Sequence, residues 1–424
     1  MRDFSDIRAR AFLRGLFDVA VASADPFEVL AGHLPEKPRG RCIVVGAGKA
    51  SAAMAAALEA AWPDTPISGI VVTRYGHSMP TRRIKVVEAA HPVPDNNSVM
   101  ASMEILRTVS GLTKDDLVIA LISGGGSALL VAPIDGLTLD DKQRVNRALL
   151  QCGASIGEMN TVRKQLSAIK GGKLAQACAP ARIVTFVISD VPGDDPGTIA
   201  SGPTVQNLST PQDALDILSY YNLDVSDRVR QVLHRPSAPG PLIEADIRMI
   251  ASPVMSLSAA AGLAKEQGAT PLILGDALEG EARDVGKVLS SIAVSCQLHG
   301  NPVSAPCVIL SGGETTVSIR DGKAGRGGRN TELLLAATLA LEGRKGIWGL
   351  AGDTDGIDGT EDAAGAIFSP ETLARAKSAG VSARDFLANH DSYSFFRMLD
   401  DLVVTGPTLT NVNDFRAILV LPVN

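Results

Sequence analysis

Short apolar runs alternate with helical patterns along all 424 residues, and this alternation constrains the fold more than any other feature. The runs LVIALIS at 117–123 and RIVTFVIS at 182–189 are continuously apolar, which predicts strands that are covered on both faces. Strands that alternate with helices form parallel sheets with right-handed crossover connections. The sequence therefore predicts the α/β class.

The same patterns give the individual elements. The predicted strands cover 42–45, 69–73, 85–89, 117–123, 182–189, 271–274, 307–311, 347–351, 401–405 and 417–421. The predicted helices cover 1–20, 49–61, 161–169 with Asn160 as its cap, 279–298 and 330–342.

A proline-rich stretch, HRPSAPGP at 234–241, is the best candidate for a domain linker. A chain of this length allows two or three domains at roughly 150 residues each, and two are favoured. We therefore predict domains at 1–235 and 236–424. The N-terminal helix is left to pack on either one.

Composition excludes several classes of protein. With 45% hydrophobic and 20% charged residues the chain is globular, and its net charge of −6 without a basic block argues against nucleic-acid binding. No apolar run reaches the roughly 18 residues of a membrane span, and the N-terminus lacks the pattern of a secretion signal. Five scattered cysteines predict buried thiols in the cytoplasm, without a disulfide framework or a zinc site.

The first glycine turn, GAGKAS at 46–51, follows a predicted strand and opens a helix. It fails the P-loop pattern at Ile43 and the dinucleotide fingerprint at Ser51, where each needs glycine. Gly46, Gly48, Lys49 and Ser51 are the candidate binding residues of this turn, which is either an anion-binding turn with a mobile cation or a tight strand–helix junction.

The second turn consists of three glycines between two hydroxyl residues, which favours a cradle for phosphate or carboxylate over a plain turn. Its residues are Ser123, Gly124, Gly125, Gly126 and Ser127.

An acidic loop, SDVPGDDPG at 189–197, follows another apolar strand. Asp190 stands at the strand end and is the best candidate for magnesium coordination or general-base work, although aspartates also cap helices in such turns. A second acidic loop, AGDTDGIDG at 351–359, departs from the calcium-loop pattern, yet Asp353 and Asp355 are candidates for holding magnesium.

A loop with two arginines, GRGGRNTE at 325–332, leads into an aliphatic helix and favours an anion site over a solvated basic loop. An earlier SGGE segment repeats the strand-then-glycine pattern of 121–128. Candidate binding residues here are Gly312, Gly313, Glu314, Arg326, Gly327, Gly328, Arg329 and Asn330.

Some polar residues are assigned ordinary structural roles. His91, within HPVPD, is interpreted as part of a rigid loop, with a cleft position as the alternative. Lys164, Lys170 and Lys173 are interpreted as a solvated helix face, with a phosphate site as the alternative.

Eight motifs in order carry a family resemblance over roughly residues 12–421. They are GAGKAS (46–51), HPVPD (91–95), SGGGSALL (123–130), MNTVRKQLSAIKGGKLA (159–175), SDVPGDDPGTIASGPT (189–204), SGGETTV (311–317), GRGGRNTE (325–332) and AGDTDGIDG (351–359). Together they resemble the class II glycerate 2-kinases, whose C-terminal part is the MOFRL domain.

The resemblance implies a Rossmann-like N-terminal domain with a mainly parallel sheet, a smaller α/β C-terminal domain, and an active site in the cleft between them. It implies transfer of the γ-phosphoryl group of ATP to the 2-hydroxyl of D-glycerate, with Mg²⁺ as cofactor. In this family Lys49 and Arg329 correspond to the residues proposed as catalytic. As a hypothesis from the acidic loop itself, Asp190 either accepts the hydroxyl proton or holds magnesium. The expected partners are these small molecules, with no nucleic acid and no membrane; a homodimer is left open.

Two other functions are weighed against this one. Relatives in the family are often labelled hydroxypyruvate reductases, frequently from genomic position in tartrate degradation, but the incomplete dinucleotide fingerprint argues against that activity. A non-catalytic sensor of sugar acids or nucleotides would leave the acidic loops without a purpose.

Overall fold

A computed structural model describes residues 5–235, 246–319 and 325–423. These residues form two compact units, one of residues 26–250 and one of residues 5–25 with residues from 251 onward, called here the 26–250 unit and the C-terminal unit. Most of the predicted linker, residues 236–241, lies outside the described residues. Among the helices described, none has the length and apolar character that a membrane crossing requires.

The elements are numbered in chain order. The strands are β1 (Cys42–Ala47), β2 (Ile67–Arg74), β3 (Ile84–Ala89), β4 (Leu117–Ser123), β5 (Arg182–Ile188), β6 (Asp246–Ala251), β7 (Thr270–Gly275), β8 (Gly280–Glu281), β9 (Cys307–Ser311), β10 (Thr315–Thr316), β11 (Ile347–Asp353), β12 (Gly365–Phe368), β13 (Leu402–Val403) and β14 (Asp414–Val420). The α-helices are α1 (Asp6–Ala22), α2 (Pro26–Val29), α3 (Ser51–Ala61), α4 (Asn96–Thr108), α5 (Gly126–Leu129), α6 (Leu139–Gln151), α7 (Ile156–Gln165), α8 (Lys173–Cys178), α9 (Pro211–Tyr220), α10 (Asp227–Leu233), α11 (Pro253–Glu266), α12 (Ala282–His299), α13 (Arg329–Leu341), α14 (Thr372–Ser378), α15 (Ala383–Ala388) and α16 (Ser392–Met398). Single 3-10 turns cover Ala31–His33, Pro192–Asp194 and Ile199–Ser201.

The sheet of the 26–250 unit has the strand order β3-β2-β1-β4-β5-β6. The pairs from β3 to β5 are parallel, as the alternation of strands and helices predicts. The order reverses direction between β1 and β4, and in open α/β sheets ligands bind outside the carboxyl ends of the strands at this switch point. The predicted Rossmann-like fold of this part of the chain is confirmed.

The sheet of the C-terminal unit has the order β13-β12-β11-β14-β9-β7. Here the prediction of a parallel sheet is wrong, because only the β7–β9 pair is parallel and the other pairs are antiparallel. The chain runs from β11 to β12 through a loop without a helix, so it has no crossover to restore its direction.

Helix α1 packs in the C-terminal unit, which answers the question that the sequence leaves open. Its apolar face, including Phe12 and Phe17, is buried, and the Phe17 and Phe415 rings lie 5.9 Å apart. Trp348 Nε1 donates a hydrogen bond of 2.8 Å to Asp6 Oδ1. The domain bounds 1–235 and 236–424 stay a prediction.

The predicted cap of the helix at 161–169 is wrong. Helix α7 begins at Ile156 because Ser155 and Glu158 form a capping box, whereas Asn160 is buried within the helix at 3% exposure. Strands β6 and β12 are missing from the sequence prediction; each is short, and β12 contains a glycine and an alanine that give little strand signal.

The cysteines are free thiols, and Cys152 alone of the five is partly exposed. Burial raises the pKa of Cys42, Cys178 and Cys307 to about 12, so these thiols stay protonated at neutral pH. The prediction of small buried side chains without a disulfide is confirmed for four of the five positions.

Two helical glycines of the C-terminal unit offer a matched test of packing. A Cβ at Gly286 in α12 would press against the carbonyl oxygen of Leu333 in α13, whereas a Cβ at Gly262 in α11 meets nothing within 4 Å. We expect Gly286→Ala to destabilise the protein by ~1–3 kcal/mol through overpacking. We expect Gly262→Ala to stabilise it by ~0.5–1 kcal/mol through backbone entropy.

Thermal unfolding followed by circular dichroism measures both glycine variants against the unmodified protein. Equal effects of the two substitutions would contradict the close packing of α12 on α13.

Candidate active site

The turns that follow β1 and β4 meet at the carboxyl edge of the sheet in the 26–250 unit. The Lys49 backbone N–H donates to the Gly124 carbonyl at 2.8 Å, and the Ala50 N–H donates to Ser123 Oγ at 3.0 Å. Ser51 Oγ donates to the Leu121 carbonyl at 3.0 Å, which ties the first turn of α3 to β4. The two predicted glycine turns therefore form one structure.

Asp190, which follows β5, lies against the same glycines. A Cβ at Gly124 would overlap the Asp190 carboxylate, and a Cβ at Gly48, where φ is +142°, would overlap Ser123. Only glycine allows the three loops to approach so closely. Gly46 and Gly126 are constrained in the same way, because a Cβ at Gly46 would overlap Leu121 and a Cβ at Gly126 would overlap Ala200.

His91 also reaches this edge, although the sequence interpretation made it a loop residue. The position that a Cβ of Gly125 would take is 3.1 Å from His91 Nε2 and 3.3 Å from Lys49 Cγ. The alternative interpretation, a position at the site, fits this geometry. The signal in the sequence was the HPVPD motif itself, a histidine held by two prolines.

A cavity of about 320 Å³ lies beside the second glycine turn and is lined by Gly125, Ser127, Lys142, Arg163 and Lys170 among others. Lys170 is only 2% exposed, so the interpretation of a solvated helix face is wrong for this residue. Helix α7 ends at Gln165, and the chain then folds inward over Ser167 and Ile169.

The cations of this cavity are bonded to neutral groups. Lys142 Nζ donates to the Leu166 carbonyl at 3.0 Å, and Lys170 Nζ donates to the carbonyls of Ser127 and Ala200 at 2.9 and 3.3 Å. Burial and then the charges of Lys173 and Arg163 lower the pKa of Lys142 to about 7. Burial likewise lowers the pKa of Lys170 well below its ordinary value.

In the C-terminal unit, Arg329 is the centre of a network of ion pairs. Its Nε donates to both carboxylate oxygens of Asp414 at 2.9 Å, and its Nη1 and Nη2 donate to Glu314 and Asp353 at 3.0 Å each. Burial alone would lower the pKa of Arg329. The charges of these three carboxylates outweigh that effect, so the pKa lies above its ordinary value. The network joins three of the motifs predicted from the sequence.

A second buried arginine, Arg416, holds the SGGE turn. It pairs with Asp414 at 2.8 Å and donates to the carbonyls of Gly312 and Gly313 at 2.7 and 3.4 Å. Sequence reasoning missed Arg416 and Asp414, because both lie in the last strand, where they follow no motif.

Asp358 holds the arginine loop to the start of α13. Its carboxylate accepts hydrogen bonds from the backbone N–H groups of Asn330 and Thr331 at 3.0 and 2.9 Å. Burial raises the pKa of Asp358, and the hydrogen bonds partly offset this. The first arginine of the loop, Arg326, instead pairs with Glu361 and lies 4.3 Å from the centre of the Tyr393 ring.

The acidic loops contain the candidate magnesium ligands. Within the described ranges, no three His, Cys, Asp or Glu side chains come together as metal ligands. Magnesium that arrives with a nucleotide needs only one or two carboxylates, so this finding leaves Asp190, Asp353 and Asp355 as candidates. Asp353 Oδ1 and Asp355 Oδ1 accept the N–H groups of Asp355 and Ile357 at 3.0 and 2.9 Å.

Comparisons with known proteins cover nearly the whole chain. A family model described as a domain of unknown function (DUF4147) matches residues 12–234, and the MOFRL family model matches residues 307–414. A putative hydroxypyruvate reductase of Agrobacterium vitis is 59% identical over 421 residues, which are 98% of this chain and 96% of that protein.

Two further similarities concern Thermotoga maritima. Its D-glycerate 2-kinase is 39% identical over 396 residues, covering 93% of this chain and 94% of that protein. The crystal structure of a glycerate kinase from the same organism matches with a TM-score of 0.90 at 37% identity, covering 97% of this chain and 99% of that one.

The lowered pKa of Lys142 predicts a pH-dependent stability. The folded protein releases this proton near pH 7 and the unfolded chain near the ordinary value of 10.5, so the unfolded chain binds more protons between these values. Stability therefore rises with pH in this window, by up to about 1.4 kcal/mol per pH unit from this one group. We expect Lys142→Met to be more stable than the unmodified protein at pH 7, with an advantage that shrinks toward pH 10.

Denaturant unfolding of the two proteins at several pH values between 7 and 10 measures the difference. Arg144→Gln removes an exposed cation two residues away on the same helix and is the control. A difference between the unmodified protein and Lys142→Met that stays constant with pH would contradict the buried ammonium.

Proposed function

Because this chain belongs to the class II glycerate kinase family, whose C-terminal part is the MOFRL domain, we propose that it is a glycerate 2-kinase. It transfers the γ-phosphoryl group of ATP to the 2-hydroxyl of D-glycerate, giving 2-phosphoglycerate and ADP. The observation that carries the proposal is the meeting of Lys49, the SGGGS turn and Asp190 at the switch point of a parallel sheet. Phosphoryl transfer uses glycine-rich backbone to bind phosphates, a cation to offset their charge, and a carboxylate to hold magnesium or accept a proton.

A hydroxypyruvate reductase is the second candidate, because the Agrobacterium vitis relative at 59% identity is named a putative hydroxypyruvate reductase. In dinucleotide-binding folds a third glycine opens the first helix, but here Ser51 stands there and bonds to the Leu121 carbonyl. Dinucleotide-binding folds that bind NAD also have an acidic residue near the end of the second strand, whereas β2 of this chain ends at Arg74. An arginine there suits the 2′-phosphate of NADP, so an assay must include both nicotinamide cofactors.

The chemistry follows from the charges at the sheet edge. The 2-hydroxyl oxygen of glycerate attacks the γ-phosphorus in line, the bond to the bridging oxygen breaks, and ADP leaves. Lys49 offsets negative charge on the group in transfer, and the N–H groups of the SGGGS turn bind phosphate or carboxylate oxygens. Asp190 either accepts the hydroxyl proton or holds magnesium.

Magnesium, when bound with ATP, neutralises charge on the phosphates and orients them. Asp190 fits this ion because its carboxylate stands at the glycine edge; Asp353 and Asp355 are the alternatives.

Arg329 needs a different test from Lys49. It pairs with two buried carboxylates, Asp353 and Asp414, of which Asp414 also pairs with Arg416, so its removal disturbs a buried charge network and is expected to lower stability. Lost activity on its substitution would therefore not separate a catalytic role from a structural one. Its assignment as a second catalytic cation is part of the proposal.

Phosphorus NMR of the full chain with ATP, magnesium and D-glycerate tests the function. A new 2-phosphoglycerate resonance is the expected result. A 3-phosphoglycerate resonance would keep the kinase and change the hydroxyl that is attacked. Absence of any phosphorylated product, together with oxidation of NADH or NADPH by hydroxypyruvate, would replace the proposal with the reductase.

Lys49→Met is expected to lower kcat by ~10²–10³-fold with a smaller change in KM, because its contact with the transferred group strengthens in the transition state. Steady-state kinetics with a coupled ADP assay measure both constants. Lys85→Met removes an exposed lysine of β3 that pairs with Glu104, and it is the control. Unchanged kcat in Lys49→Met would contradict the proposed role.

A further inference from the structure

The cavity in the 26–250 unit concentrates positive charge without matching negative charge. Within the described residues, the side-chain hydrogen bonds of Lys142, Arg163 and Lys170 all go to neutral acceptors. The buried arginines Arg329 and Arg416 of the C-terminal unit are, in contrast, paired with carboxylates. The buried arginines of the C-terminal unit are therefore paired with carboxylates, whereas buried Lys170 and the partly exposed Lys142 and Arg163 contact neutral groups.

An unpaired buried charge is costly, and such groups are paired or bind a ligand in folded proteins. Neutral carbonyls satisfy only some of the donors here. Lys142 uses one of its three ammonium hydrogens on the Leu166 carbonyl, and Lys170 uses two, on the carbonyls of Ser127 and Ala200. Arg163 uses Nε and Nη2 on Asn146 and Met159 within the part of the chain described. Each cation thus keeps at least one N–H for a further acceptor.

The shape of the cavity fits a small organic anion. Its volume of about 320 Å³ is at the lower end for ligand pockets. Its walls combine apolar side chains, including Val93, Val131, Val145 and Leu166, with polar and cationic ones, and no Asp or Glu is among the lining residues. Carboxylates and phosphates are both compatible with lysine and arginine donors in such a setting.

The cavity also reaches the proposed site of phosphoryl transfer. Gly125 lines it, and the same glycine is adjacent to Lys49 and His91. Ser127 lines it as well, and Ser127 Oγ is 3.0 Å from Ser201 Oγ, in the loop that follows Asp190. A ligand in the cavity would therefore lie next to the reacting groups.

We propose that this cavity binds an oxyanion group of a substrate, either the carboxylate of glycerate or a phosphate of the nucleotide, through Lys142, Arg163 and Lys170. The identity of the two substrates rests on the proposed function; the anion site itself rests on the cavity and its cations. A bound anion supplies the negative charge that the described side chains do not. The lowered pKa of Lys142 is consistent with this, because it is the value of an ammonium without such a partner.

The experiment is a thermal unfolding titration of the full chain, since a ligand that binds the folded state raises the Tm. The probes are D-glycerate, a non-hydrolysable ATP analogue with magnesium, and inorganic phosphate, each at constant ionic strength made up with sodium chloride. The variants are Lys142→Met and, as control, Arg144→Gln, whose side chain is exposed on the same helix.

The expected result is a ligand-induced rise in Tm that Arg144→Gln keeps and Lys142→Met reduces at least tenfold in apparent affinity. In the absence of ligand, Lys142→Met is expected to have an equal or higher Tm, which a merely structural lysine would not give. Loss of the glycerate response alone assigns the cavity to the carboxylate. Loss of the nucleotide response alone assigns it to a phosphate.

The proposal is overturned when Lys142→Met retains every response of the unmodified protein, or when no probe shifts the unmodified protein. Lys142→Gln, which keeps a donor for the Leu166 carbonyl, replaces Lys142→Met in case that variant does not fold. If the protein has no kinase activity but its Tm response to phosphate requires Lys142, the anion site is supported and the proposed kinase function is contradicted. A kinase whose responses do not require Lys142 would keep the function and reject the site.

Discussion

The close backbone approach of the loops after β1, β4 and β5 is the constraint on which the rest of the 26–250 unit depends. The Lys49 N–H donates to the Gly124 carbonyl beside Gly48, whose Cβ would overlap Ser123, and Asp190 approaches the same turn only because Gly124 has no side chain. The parallel register of β1 with β4 and of β4 with β5 brings these loops to one edge. Lys49 and Asp190 are thus placed by the sheet, and the glycines make room for both.

The two units differ in how they use buried charge. In the C-terminal unit, Arg329 and Arg416 neutralise Asp414, and Arg329 also neutralises Asp353. This arrangement ties the loops together, because each arginine and Asp414 take part in more than one contact of the same network. In the 26–250 unit the cations around the cavity face neutral groups, which costs stability and leaves the charge for a ligand.

The sequence predicts the strands better than it predicts their direction or the inward-facing polar residues. The β4 and β9 bounds match because a continuous apolar run reports burial directly. Periodicity contains no information on strand direction, so the antiparallel pairs of the C-terminal sheet were not foreseen. The spacing of Lys170 in the sequence is the same whether its side chain faces water or a cavity. Asp414 lies 85 residues from Arg329 in the chain, so no local pattern indicates that the two side chains pair.

The kinase and the reductase make different demands on the same fold, and this difference decides which residues are informative. Glycerate and hydroxypyruvate both carry a carboxylate, so a cavity lined by Lys142, Arg163 and Lys170 would accept either acid. A hydride donor needs room for a flat nicotinamide and a ribose contact, whereas phosphoryl transfer needs the acceptor and leaving oxygens in line and a cation that offsets charge on the transferred group. Lys49 and Asp190 lie at the glycine edge, where the proposed function uses them, and Ser51 stands where the dinucleotide fingerprint has glycine. The two activities would therefore be distinguished at the carboxyl ends of β1, β4 and β5, whereas the proposed anion site in the cavity would serve the carboxylate that both acids share.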